Sequence, residues 1–62
     1  MQLESAHYMR RGDLVRHAGG RTGTVTESFA LWATVRWDDD GREEEVEQLD
    51  PLILVTDRAS RD

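Results

Sequence analysis

From Gly12 onward, apolar and polar residues alternate in short bursts separated by turn residues, and the bursts predict five strands. "GDLVRH" (12–17) is the first strand, "AGGR" (18–21) a turn, and "GTVTES" (23–28) a strand in which Val25 alternates with Thr24 and Thr26. "SFAL" (28–31) reads as a loop. "WATVRW" (32–37), rich in β-branched and aromatic residues, is the strongest strand in the chain. "DDDG" (38–41) turns, "REEEVE" (42–47) returns, "QLDP" (48–51) makes a tight corner, and "LILV" (52–55) is a last buried strand. Nowhere does an amphipathic helix longer than one turn fit the pattern. The expectation is an all-β, five-stranded antiparallel small barrel over residues 12–56, with a short 3-10 turn before the last strand. Residues 1–11 read as a flexible N-terminal segment and 57–62 as a polar C-terminal tail.

Parity along the third strand puts Trp32, Thr34 and Arg36 on one face, with Ala33, Val35 and Trp37 on the other. The loop that follows sets the hairpin register. A two-residue type I′ turn at Asp40-Gly41 places Val35 opposite Val46 and Arg36 opposite Glu45. A four-residue loop, DDDG, instead places Val35 opposite Glu44 and Ala33 opposite Val46. The Val–Val and Arg–Glu pairs favour the two-residue turn. The core expected from these patterns is Val15, Val25, Val35, Trp37, Val46, Leu49, Leu52 and Leu54.

Size and charge narrow the picture. A 62-residue chain buries only about 60% of the surface its unfolded state exposes, so its core is thin. With no cysteine, neither a disulfide nor a thiolate-bound metal can reinforce it. No stretch approaches the roughly 20 apolar residues of a membrane span, and the N-terminus lacks an apolar signal-peptide core. A soluble, cytoplasmic protein is the expectation. The net charge of −5 is unevenly spread. Residues 1–37 carry five arginines against three acids (+2), and residues 38–62 carry three arginines against ten acids (−7). So acidic a second half weighs against binding a long nucleic-acid backbone, where basic side chains must replace condensed counterions.

Candidate chemistry is sparse. Counted from Arg36, residues Asp38, Asp40, Gly41 and Glu47 fall at positions 3, 5, 6 and 12 of a calcium-binding EF-hand loop, but position 1 is not Asp and no helix flanks it. The acids read instead as the solvated face and tip of a hairpin, where they also discourage edge-to-edge pairing. "AGGRTG" (18–23) lacks the Lys-Ser/Thr ending of a phosphate-binding loop. His7 and His17 have no metal-ligand spacing. No catalytic residue, metal site or cofactor is expected, and the chain reads as a non-enzyme. What remains is aromatic. With Trp37 in the core, Trp32 lies outward beside Phe29, and Arg36 shares its face. These three form the candidate binding set, and the expected partner is a protein or a second copy of the chain.

The opening "GDLVR", the following "GTV", the "VRWDDDG" hairpin and the closing "EQLDPLILV" together resemble the SH3-like small barrels over residues 12 to about 55. The cadence is similar to that of KOW-type and Tudor-type modules and of the PsaE subunit of photosystem I. That likeness implies the fold, and for a KOW-like relative it also implies contact with nucleic acid or with ribosomal and transcription proteins. Gly12-Asp13-Leu14-Val15-Arg16 also resembles the early "GD-x-VR" of the type II dihydrofolate reductases. The active pore of that family is built on a Val-Gln-Ile-Tyr strand. The corresponding Glu44-Glu45-Val46-Glu47 would repel folate and the phosphates of NADPH, so the likeness implies the barrel without the activity.

Overall fold

A computed structural model describes residues 8–58. The earlier part of the expected N-terminal segment (1–7) and the end of the expected tail (59–62) lie outside the described residues. Five strands follow in chain order: β1 (Leu14–His17), β2 (Thr22–Ser28), β3 (Trp32–Trp37), β4 (Glu43–Glu47) and β5 (Ile53–Asp57). They form one antiparallel sheet in the order β4-β3-β2-β1-β5. The first four strands are a meander, and β5 returns to pair with β1. Among the described residues β4 and β5 do not pair, so the sheet is open where a closed barrel was expected. No described helix is long and apolar enough to cross a membrane.

The buried apolar side chains are Met9, Val15, Val25, Ala33, Val35, Trp37 and Ile53, with Val46 and Val55 packed against them. Parity along β3 is as the sequence predicts, with Ala33, Val35 and Trp37 inward and Trp32 and Arg36 outward. In β5 the phase differs from expectation by one residue. Ile53 and Val55 face the core, and Leu52 and Leu54 are exposed. Four consecutive apolar residues carry no alternation, and the pairs His17–Ile53 and Val15–Val55 settle the phase. Leu49, also expected inside, is exposed and has a left-handed backbone (φ 64°).

The β3–β4 register also differs from expectation. Ala33 pairs with Val46, Val35 with Glu44 and Arg36 with Glu43, which is the four-residue-loop register. A type I′ turn needs both central residues left-handed. Gly41 is (φ 71°), but Asp40 is not among the positive-φ residues. The loop is held internally by hydrogen bonds from Gly41 N–H to the Trp37 carbonyl (2.8 Å) and from Arg42 N–H to Asp40 Oδ1 (2.9 Å). The two registers differ by two residues, so each side chain keeps its face while its partner changes.

Two connections fix the ends of the sheet. Asp13 is fully buried; its Oδ2 accepts the Arg10 N–H (2.9 Å) and lies 3.6 Å from Arg58 Nη1. Before β5, Asp50 N–H bonds the Glu47 carbonyl (3.3 Å) and Ile53 N–H bonds the Asp50 carbonyl (3.1 Å). Two successive i→i+3 turns thus occupy the place of the expected 3-10 turn.

Candidate interaction surface

The β2–β3 connection is a tight turn closed by the Phe29 N–H bonding the Trp32 carbonyl (2.8 Å). It presents three large apolar side chains to solvent: Phe29 (46% exposed), Leu31 (77%) and Trp32 (50%). In so small a protein, that is apolar surface the core does not claim.

The turn is braced from behind by Gln48. Its backbone N–H bonds the Leu31 carbonyl (3.0 Å), and its side-chain Nε2 lies within donor distance of the Phe29 carbonyl (3.2 Å) and Ser28 Oγ (3.3 Å). The same amide reaches Met9, donating to its carbonyl (2.9 Å) and accepting its N–H at Oε1 (2.8 Å). Ser28 Oγ also donates to the Met9 carbonyl (2.9 Å). Gln48 is itself buried, so these bonds are made away from water and fix the turn against the sheet.

Of the three residues singled out from sequence, the structure brings Phe29 and Trp32 together and leaves Arg36 apart. Arg36 shares Trp32's face, but four residues along a strand is about 13 Å. It lies between Thr24 and Glu43. Sequence reasoning missed Leu31 and Gln48. Leu31 was legible as an apolar residue in a loop, whereas the bracing role of Gln48 carries no local signal.

Trp32 pairs across the strands with Glu47, and Thr34 with Glu45. Glu43, Glu45 and Glu47 are exposed, and among the described residues no side chain bonds or ion-pairs with their carboxylates.

At the opposite end of β3 the acids do have partners. Arg21 Nε donates to Asp39 Oδ2 (2.9 Å), Nη2 to Asp39 Oδ1 (3.2 Å), and Nη2 lies 3.8 Å from Asp40. The Arg21 guanidinium stands 4.6 Å above the Trp37 ring, which also makes a T-shaped contact with the His17 ring, centroids 6.1 Å apart. The Arg21 hydrogen bond holds the Asp39 carboxyl below its ordinary value, and Asp39 in return raises the arginine. Asp38 accepts the Thr22 hydroxyl (2.7 Å). The three aspartates are therefore scaffolding for their own loop. Glu47, the twelfth position of the calcium-loop reading, sits at the other end of the hairpin, opposite Trp32. Among the described residues no group of three or more His, Cys, Asp or Glu is placed to hold a metal ion.

A shallow groove of about 330 Å³ lies between the β1–β2 turn and the start of β5, lined by Arg16, His17, Ala18, Gly20, Pro51, Leu52 and Leu54.

No protein-family model matches the chain, and no curated protein or solved structure matches it either.

Proposed function

We propose that this chain is a small, non-enzymatic SH3-like interaction module that engages a protein partner through the Phe29–Trp32 turn. One observation carries the reading: three large apolar side chains project from a turn that a buried glutamine holds rigid. Exposed aromatic anchors on a pre-organised backbone are the usual source of binding energy at protein interfaces, because little ordering entropy remains to be lost. The meander with a returning fifth strand supports the small-barrel reading. The KOW-like alternative, a nucleic-acid or ribosome-associated role, finds less support. Arg21 is engaged by Asp39 and Asp40, and β4 presents four glutamates.

The test is a pair of baits. Immobilised wild-type protein should retain a defined partner from a lysate of its native host, identified by quantitative mass spectrometry. A Phe29→Ser bait with an unchanged melting temperature should lose that partner. Equal retention by both baits would remove the turn from the function.

A further inference from the structure

We infer that the partner presents a cationic side chain, arginine or lysine, flanked by apolar residues, and that it docks the cation between the Trp32 ring and the carboxylates of Glu45 and Glu47. The inference rests on the reading of the Phe29–Trp32 turn as a contact surface, and adds the chemistry of what binds there.

The chain already contains one complete example of such an arrangement. At the far end of β3, Arg21 stacks on Trp37 at 4.6 Å while Asp39 holds its guanidinium at 2.9 Å. Ring, carboxylate and cation are all internal there. At the near end, Trp32 has a cross-strand carboxylate neighbour in Glu47 and a second, Glu45, one pair further along the same face. Among the described residues no cation stacks on Trp32, and none neutralises either glutamate. Arg36, on the same face, is about 13 Å along the strand. Two parts of the three-part arrangement are in place among the described residues, and the partner supplies the third.

Charge also selects among occupants. A second copy docking through this face would make a two-fold contact that gathers Glu43, Glu45 and Glu47 of both copies, with one Arg36 from each, into a single interface. The net negative charge so gathered disfavours that assembly. Nucleic acid and anionic membrane are repelled on the same ground. A basic segment with apolar neighbours satisfies both halves of the surface: its cation meets Trp32 and the carboxylates, and its apolar residues cover Phe29 and Leu31.

The experiment uses fluorescence polarisation with the full chain and three short labelled peptides. One alternates arginine with leucine, one replaces each arginine by glutamine, and one replaces each leucine by serine. The arginine–leucine peptide should bind about tenfold or more tightly than either control. Trp32→Ala should remove that preference, and Glu47→Gln should weaken binding several-fold at low salt and much less at high salt, as rim charges do. Equal, Trp32-dependent binding of the arginine–leucine and glutamine–leucine peptides would overturn the inference while leaving the turn as a contact surface. Equal binding of the arginine–leucine and arginine–serine peptides, unchanged in Trp32→Ala, would show non-specific charge attraction and overturn it. Concentration-dependent dimers in sedimentation, lost in Trp32→Ala, would overturn it in favour of a second copy. Trp32-independent binding throughout would defeat the contact-surface reading as well.

Discussion

The side-chain amide of Gln48 pairs with the backbone of Met9 as a neighbouring strand would, accepting its N–H at 2.8 Å and donating to its carbonyl at 2.9 Å. The residues are 39 positions apart, and both are buried. Met9 thereby becomes part of the core although no strand includes it. Gln48→Leu keeps the bulk and removes both bonds, leaving the buried Met9 N–H without its partner while the Met9 carbonyl keeps the Ser28 hydroxyl. A buried N–H left without a partner costs about 1–3 kcal/mol, so the variant should lose about that much in a urea melt. That is a large share of what a domain of this size usually holds, about 3–5 kcal/mol. An unchanged midpoint would mean that the Met9 contact contributes nothing.

Gly23 lies where β2 passes beneath Trp37. A Cβ added there would meet the Arg36 carbonyl oxygen at 2.7 Å, Val35 Cγ1 at 2.8 Å and Trp37 Cε3 at 3.0 Å. The first is backbone of the paired strand and has little room to give. Gly23→Ala should therefore destabilise by about 1–3 kcal/mol, outweighing the smaller gain from restricting the unfolded chain. A thermal melt at or above the wild-type temperature would contradict the close approach.

Leu49 offers a change in the other direction. Its left-handed backbone (φ 64°) costs an ordinary residue about 1–2 kcal/mol, and its side chain is exposed. Asparagine tolerates that conformation better. Leu49→Asn should raise stability by about 0.5–1 kcal/mol, read as a higher urea midpoint with an unchanged slope. A lower midpoint would mean that the Leu49 side chain contributes packing that outweighs its backbone strain.

These positions show what the sequence could and could not disclose. Parity in β3 was legible because WATVRW alternates around a single apolar face, so Trp37 inward and Trp32 outward followed directly. Ile53 and Val55 were not legible, because LILV is apolar at every step and only the partner strand β1 distinguishes its faces. The hairpin register was not legible, because a shift of two preserves parity; the bonds that hold it are within the loop and to Arg21 and Thr22, far away in sequence. Met9 was invisible because its burial depends on Gln48. Phe29 and Trp32 could be picked out as exposed aromatics, but their fixed geometry could not.

The Asp39–Arg21 pair gives a pH signature. Chiefly through the Arg21 hydrogen bond, and further through the Arg21 charge, the folded chain holds the Asp39 carboxyl below its ordinary value, against a smaller opposing effect of desolvation. The folded state thus binds that proton less readily than the unfolded state. Its contribution is complete above the unfolded value and fades as pH falls through the folded one. Between about pH 5 and about pH 3 the wild-type urea midpoint should fall more than that of Asp39→Asn. The difference should be small and should shrink with added salt, because the pair is exposed. Parallel pH profiles would deny the pair any role.

The two tryptophans have opposite duties. Trp37 is 2% exposed, donates from Nε1 to Glu44 (2.9 Å) and carries Arg21 on its face. Trp37→Ala should cost about 3–5 kcal/mol and leave the chain largely unfolded. Trp32→Ala, at a half-exposed site, should cost about 1 kcal/mol or less. Should Trp32→Ala prove the more destabilising, the inward and outward faces of β3 would have to be exchanged.

The most direct test is partner capture by Trp32→Ala, expressed per folded molecule after circular dichroism confirms the wild-type spectrum. If the Phe29–Trp32 turn is the contact surface, capture should fall about tenfold or more, as loss of an aromatic anchor does. Capture equal to wild type by a fully folded Trp32→Ala protein would contradict it.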